Sequence, residues 1–573
     1  ARERIGTRPR TGRHGTFRYA AAMPQPLACL LVAFVCLGSP TFGHAQDDAQ
    51  TVRVFVFAGQ SNMVGSDSDA AEVASYPPFA KAAEPLPQVR YWYVLGREDK
   101  RRSDGWVALQ PVDGVVGPEL TFAREVLAHT EGPLAIVKVA AGGTSLGLDW
   151  NPDHPGGFQL YPLALATVRE ALADLDRQRL KWRLEGFVWH QGENDMFDDG
   201  FRRAYAANLA RFVACWRRDL QTPQLRFYLG ELCTKTIWGM DHRGPMQGIA
   251  EAQHQVADDD PHVDYVPTSQ VAVKIGGDAG MHYHYGTLGQ LEHGLEHARA
   301  YLQHRGISLQ LARTLATWPY ADDAEVDLYV LAGHRNMEGE RAFVEDLAKT
   351  PGGVALRTDR DDVPFRYSLG GGMWASRGFE PLGPAGLYDT FGPELSFGRV
   401  LSARSPTKVA LAKFTHSGSQ IVDWTPNGSE AARRNLYPAF LAFVRASLAE
   451  LAERGQRARL AGIVYHLGEN DMAWAPHRRQ AAPWLGELIA ASRRDLEQPT
   501  LRWFVGLQRP PAQPDLDRID VVAKLRSLDA ADEHTFLIEA FDPPPQRELL
   551  VFDSAGVVWL GERLAEAVLA ATR

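Results

Sequence analysis

Cysteine is scarce in this 573-residue chain: four residues, at positions 29, 36, 215 and 233, with no CxxC pair or other metal-ligand spacing. A disulfide-dense scaffold is thereby excluded, and nothing in the spacing calls for a metal. Long apolar runs are lacking too. Residues 26–37, PLACLLVAFVCL, form a run of twelve, short of the roughly 18 that a membrane-spanning helix needs. No polybasic block follows residue 110, so the basic face of a nucleic-acid binder is missing. What remains is ordinary globular composition, 45% hydrophobic and 23% charged.

The charge is unevenly divided. Residues 1–45 carry six arginines and one glutamate, +5; the whole chain is −9, so the remainder carries −14. The apolar run is followed by GSPTFGHA, with Gly43 and Ala45 as small residues before a possible cut at Gln46. That pattern reads as a secretory leader, and it predicts a secreted or periplasmic protein with no membrane anchor after cleavage. Met23 stands just before the run, so residues 1–22 read either as a basic n-region or as an upstream extension. The competing reading is a buried N-terminal helix. Cys36 lacks the small residue that precedes a lipidated cysteine. Cys215 and Cys233 remain after cleavage, either paired or as two buried thiols.

The rest of the chain is written twice. AGQSNMVG (58–65) returns as AGHRNMEG (332–339), and GPELTF (117–122) as GPELSF (392–397). KVAAGGTSLGLDWNP (138–152) returns as KFTHSGSQIVDWTP (413–426), and WHQGENDM (189–196) as YHLGENDM (465–472). HYGTLGQLEHG (284–294) corresponds to VFDSAGVVWLG (551–561). Conserved order at a long period describes a duplicated domain and not a solenoid. The expected units are 46–305 and 324–573, joined through 305–324.

Within the first copy, apolar β-rich runs at Val52–Phe57, Leu134–Val139, Glu185–Trp189, Leu225–Gly230 and His262–Val266 alternate with helical stretches at 119–129, 161–176, 201–220, 246–258 and 287–304. Near-continuous apolar strands between helices predict parallel sheets covered on both faces, an α/β/α sandwich. Ligands of such sheets bind beyond the C-terminal strand ends. Ser61, Gly143 and Gln191 each follow such a strand.

Gly59-Gln60-Ser61-Asn62-Met63, Gly142-Gly143-Thr144, Trp189-His190-Gln191-Gly192-Glu193 and His284-Tyr285 with Gly289 and Gly294 together resemble the SGNH-hydrolase superfamily. The closest similarity is to its sialate O-acetylesterase and carbohydrate esterase family 6 branch, over 51–305 and, in degenerate form, 324–573. The resemblance implies a flavodoxin-like fold and a serine mechanism, without a cofactor or metal, that removes acetyl groups from sugars.

A serine hydroxyl needs a base to take its proton, and the tetrahedral oxyanion needs donors already in place. By resemblance, Ser61 is the nucleophile, and the N–H groups of Ser61 and Gly143 with the Gln191 amide form the oxyanion hole. Both His282 and His284 are available as base; the distances to Gly289 and Gly294 favour His284. The family's orienting Asp stands three residues before its His, where this chain has Met281. Asp278 is the nearest acid; Glu193, Asp195 or a dyad without acid are the alternatives. Gln60, Trp150 and His282 are the substrate-contact candidates, Trp150 either closing over a sugar or simply packing. An Arg or a helix N-terminus would suit the sialate carboxylate; an open aromatic cleft, with Trp92, Trp106, Trp150 and Trp238 available, would suit xylan.

The second copy is an internal control. It has Arg335 for Ser61, Leu467 for Gln191 and Val551 for His284, so it should be inert. Asn62, Glu119 and the GENDM segment survive there, which points to structural roles for them. The expected activity is carbohydrate O-acetylesterase on an acetylated carbohydrate. Glycan binding by two esterase-like modules and general acyl-ester hydrolysis are the alternatives.

Overall fold

The computed structural model describes residues 50–232, 236–237, 240–274, 284–309, 313–428, 434–512, 518–546 and 550–572. The segment read as a leader, Asp278, His282, Cys233 and Trp238 lie outside them.

The sequence VRVFVFAG forms β1 (Val52–Gly59), buried along its whole length as a strand covered on both faces must be. The first copy continues with β2 (Leu86–Leu95), β3 (Arg101–Arg102), β4 (Val107–Leu109), β5 (Leu134–Ala140), β6 (Trp182–His190) and β7 (Phe227–Gly230). A small ribbon, β8 (Thr236–Ile237) and β9 (Met240–Asp241), precedes β10 (Val263–Val266). The sheet order is β10-β7-β6-β1-β5-β2-β3, with β4 paired to β2. All pairings from β10 through β2 are parallel; β3 and β4 run antiparallel to β2. Without β2 and its hairpin partners, the remaining strands follow the 2-1-3-4-5 order of flavodoxin-like folds.

The second copy repeats the plan with β11 (Glu325–Gly333), β12 (Arg360–Leu369), β13 (Trp374–Ala375), β14 (Glu380–Leu382), β15 (Lys408–Thr415), β16 (Arg457–His466), β17 (Trp503–Gln508) and β18 (Thr535–Ala540). Its order is β13-β12-β15-β11-β16-β17-β18, with β14 on β12. The expected α/β sandwich of parallel sheets is therefore present twice.

The helices Glu119–His129, Leu160–Arg177, Asp199–Asp219, Arg243–Asp259 and Gly286–His304 fall where the apolar periodicity places them. Strand β2 is the addition. Its sequence LPQVRYWYVL begins with Pro87, exposed Gln88 and buried Val89, a mixed pattern that hides a strand near the sheet edge.

One face of each sheet has a private core, built around Trp150, Trp189 and Phe212 in the first copy and Trp424, Phe440 and Trp503 in the second. The opposite faces share one. A single apolar cluster runs from Phe57, Phe122 and Leu291 to Phe343, Tyr388 and Phe391, so the copies are fused through their interiors. Asp47–Arg573 accordingly forms one compact unit.

In each sheet the central strand, β1 or β11, lies between strands reached in opposite directions. The crevice at its C-terminal end is where such a fold holds a ligand.

Candidate active site

Beyond β1 the chain makes a single helical turn, Ser61–Val64, closed by Gly65 in the left-handed region. The first N–H groups of a helical turn have no partner within it, and that of Ser61 finds no acceptor among the described residues. Beyond β5, Gly143 adopts φ 69°, and a Cβ there would stand 3.3 Å from Arg97 Nη1. The left-handed turn and the close guanidinium favour glycine there, and a Cβ on the preceding Gly142 would stand 3.5 Å from Ser61 Cβ. Ser61, Gly143, Arg97, Asn194, Phe197 and His284 line one cavity of about 480 Å³.

His284 Nδ1 lies 2.7 Å from Asp67 Oδ2. The imidazole is largely covered, 13% exposed, whereas the Asp67 carboxylate is half exposed. Asp67 has φ 62°, a left-handed conformation that Asp tolerates better than most residues. Its loop is pinned on both sides. Ser68 Oγ donates to the carbonyls of Gly65 and Val116 and accepts from Val116 N–H, while Asp69 N–H donates to Thr287 Oγ1 at 2.9 Å. Tyr285 N–H donates to Asn62 Oδ1 at 3.2 Å, tying the histidine segment to the serine turn. Asp67 was missed in the sequence because it follows Ser61 by only six residues instead of preceding the histidine by three. The repeat holds the overlooked signal: Asp67 aligns with Arg341, so it too is lost in the second copy.

Several expected contacts fall elsewhere. Gln191 is fully buried and does not line the cavity; its amide nitrogen faces Asp195 Oδ2 at 2.6 Å, Thr144 O at 3.0 Å and Gln60 Oε1 at 3.1 Å. This corrects its expected position as an oxyanion donor in the cavity wall, because three acceptors already compete for two N–H groups. Gln60 borders the cavity, but its oxygen accepts from Gln191 and from the N–H groups of Gly192 and Asn194. It holds the loops together. Trp150 is also corrected: it is buried, donates to Thr144 Oγ1 at 3.1 Å and meets Trp189 edge-to-face. Trp92 is buried against Trp106, so these tryptophans form no open cleft.

The GENDM carboxylates are tied into buried hydrogen-bond networks, and Glu193 also borders the cavity. Asp195 accepts from Leu146 N–H and Gly147 N–H as well as Gln191, and burial pushes its carboxyl pKa up to about 6. Glu193 accepts from Asn62 Nδ2 at 2.7 Å. Burial raises its pKa, but the neighbouring His190 and Asn62 outweigh this and hold it below the usual value. Glu119 forms a buried ion pair with Lys138 at 2.6 Å, matched by Glu394 and Lys413 at 2.9 Å.

The second copy shows what happens when the same corner loses its chemistry. Arg335, in place of Ser61, is buried in an ion pair with Glu340. Glu469, in place of Glu193, accepts from the N–H groups of Arg335 at 3.1 Å and Asn336 at 2.9 Å. The N–H that is open at Ser61 is therefore capped here. Asn336 still receives Phe552 N–H at 2.7 Å, the counterpart of the Asn62–Tyr285 bond.

An α/β sandwich with a serine turn after its central strand, and in the same cavity a histidine paired with an aspartate, fits the SGNH-hydrolase class. The family described as "carbohydrate esterase, sialic acid-specific acetylesterase" matches residues 51–303 and again 325–570, and the chain belongs to it, among the carboxylic ester hydrolases. The chain is 27% identical to a probable carbohydrate esterase of Arabidopsis thaliana over 113 residues, covering 19% of this chain and 39% of that protein's length. It is similar to a solved structure from Arabidopsis thaliana (22% identity, TM-score 0.34, 44% of this chain and 98% of that one). It is also similar to NanS (16%, 0.36, 45% and 99%) and to a carbohydrate acetylesterase from Xanthomonas citri (19%, 0.32, 46% and 58%). No helix among the described residues is long and apolar enough to cross a membrane.

Proposed function

We propose that the first copy hydrolyses O-acetyl esters of an acidic sugar of the sialate type, with Ser61 as nucleophile, His284 as base and Asp67 as the acid that orients it. The observation that carries this reading is the 2.7 Å contact between His284 and Asp67 at the cavity that Ser61 also lines. With Nδ1 turned to Asp67, Nε2 is the nitrogen that takes the serine proton in this reading. Ser61 Oγ attacks the acetyl carbonyl carbon as His284 takes that proton. The N–H groups of Ser61 and Gly143 receive the negative oxygen. Collapse breaks the ester bond, and His284 gives the proton to the departing sugar oxygen. Water, losing a proton to His284, then attacks the acetyl carbon; the bond to Ser61 Oγ breaks, acetate leaves and His284 returns the proton to Ser61.

Arg97 supports the acidic substrate. Its side chain is 49% exposed, lines the cavity and stacks 5.3 Å from the centroid of Phe158. A guanidinium held by an aromatic face is a suitable partner for a carboxylate. The second copy has Gly371 at the aligned position. In this reading the second copy is not catalytic, and residues 1–45 direct export and are removed before Gln46.

The test is acetate release from O-acetylated sialic acid and from acetylated xylan by wild type and Ser61→Ala. Release from the sialate that is lost in Ser61→Ala supports the reading. Release that persists in Ser61→Ala overturns the mechanism, and a preference for xylan overturns the substrate.

A further inference from the structure

The inert corner of the second copy is filled by the first. Gly418 aligns with Gly143, and a Cβ on Gly418 would lie 1.5 Å from the carbonyl oxygen of Ser269. The loop after β10 is therefore pressed backbone to backbone into the spot that corresponds to the first copy's own oxyanion turn. Ser269 Oγ lies 3.4 Å from His416 Nε2. Arg434 Nη2 donates to Gly418 O at 3.3 Å, and Nη1 stands 3.7 Å from Glu231 Oε1. The other oxygen of Glu231 accepts from Thr268 N–H and Ser269 N–H at 3.1 and 3.0 Å.

That loop touches the histidine segment at two points. Thr268 Oγ1 is 2.9 Å from Tyr285 OH, and Lys274 N–H donates to the carbonyl of His284 at 3.3 Å. Ala272 N–H donates to Glu292 on the helix that follows. Arg434, Glu231, the 268–274 backbone and His284 thus form one continuous chain of contacts across the two copies.

From this we infer that the second copy's degenerate site serves as a socket for the first copy's 267–274 loop, and that Gly418 and Arg434 are positioning residues for His284. The inference rests on the proposed role of His284 as base. It reverses the simplest expectation from the repeat, a first copy that works alone. A serine relay is sensitive to this kind of support, since a misplacement of about 1 Å can cost on the order of 10²-fold in rate.

The experiment uses the full chain with Gly418→Ala, Arg434→Ala and Arg434→Lys, and Arg404→Ala, an exposed side chain paired with Glu566, as control. Two readouts are taken: amide hydrogen exchange, and kcat and KM for 4-nitrophenyl acetate per Ser61 titrated with a fluorophosphonate. Exchange should quicken in 266–274 and 284–290 for Gly418→Ala and Arg434→Ala, and stay as in wild type in β1 and β11. In the same variants kcat per titrated site should fall roughly tenfold or more with little change in KM, and Arg434→Lys should recover part of it. Unchanged exchange in those segments overturns the socket. Faster exchange with unchanged kcat per site overturns the positioning role. A wild type without esterase activity would count against the proposed function, and the exchange result would still decide the socket.

Discussion

His284 Nδ1 stands 2.7 Å from Asp67 Oδ2, and the two residues disappear together in the second copy, where Val551 and Arg341 take their places. In the proposed relay the acid holds the base in the tautomer and orientation that accept the serine proton.

Asp67→Asn should therefore lower kcat for an acetyl ester on the order of 10²-fold while leaving KM nearly unchanged, and Asp67→Glu should recover part of the loss. Steady-state kinetics with Asp278→Asn alongside separate the two acids. An Asp67→Asn enzyme as fast as wild type would show that the contact has no catalytic role.

Arg97→Gln should raise KM for an O-acetylated sialic acid by about tenfold, corresponding to about 1.4 kcal/mol. KM for uncharged 4-nitrophenyl acetate should change far less. An equal effect on both substrates would mean that Arg97 shapes the cavity and does not read a carboxylate.

Three histidines cluster in the first copy's interior, of which the second copy keeps only the first, as buried His466. His190, His293 and His297 cluster with ring centroids 4.6 and 4.8 Å apart, and the second copy has Leu560 and Leu564 at the last two places. Burial keeps His293 and His297 neutral, His297 with a pKa lowered to about 3. In the unfolded chain a histidine titrates near 6.5, so this contribution to stability is complete above about pH 6.5 and is lost as pH falls toward 3. Melting temperature should drop from pH 7 to pH 4 in wild type and drop less in His293→Leu/His297→Leu. Parallel curves for the two proteins would contradict this.

Arg335→Ala should destabilise the chain by about 3–5 kcal/mol in denaturant unfolding, because it strands the buried Glu340 carboxylate. Replacing both partners, Arg335→Met with Glu340→Leu, should cost less. A single variant as stable as wild type would show that the pair is not a buried ion pair in solution.

Much of this is legible in the amino-acid sequence. β1 reads from VRVFVFAG because a doubly covered strand needs no alternation, and the repeat alone marked Ser61 and His284 as lost in the second copy. β2 was not legible, since Pro87, Gln88 and Arg90 interrupt its apolar pattern near the sheet edge. The facing of Trp150, open in the sequence between sugar contact and packing, and of Gln191 is not legible because residue type says nothing about which way a side chain points; both turn inward. Asp67 required the tertiary clamp between Asp69 and Thr287, which brings together residues more than 200 positions apart. The socket at Gly418 could not be read at all. It depends on how one copy packs against the other.

The central claim is that one serine, in one of two nearly identical frames, does the chemistry. The most direct measurement is intact-mass analysis after labelling with a fluorophosphonate. One adduct per chain, mapped to Ser61 and absent in Ser61→Ala, is the predicted result. Two adducts, or one that survives Ser61→Ala, would contradict it.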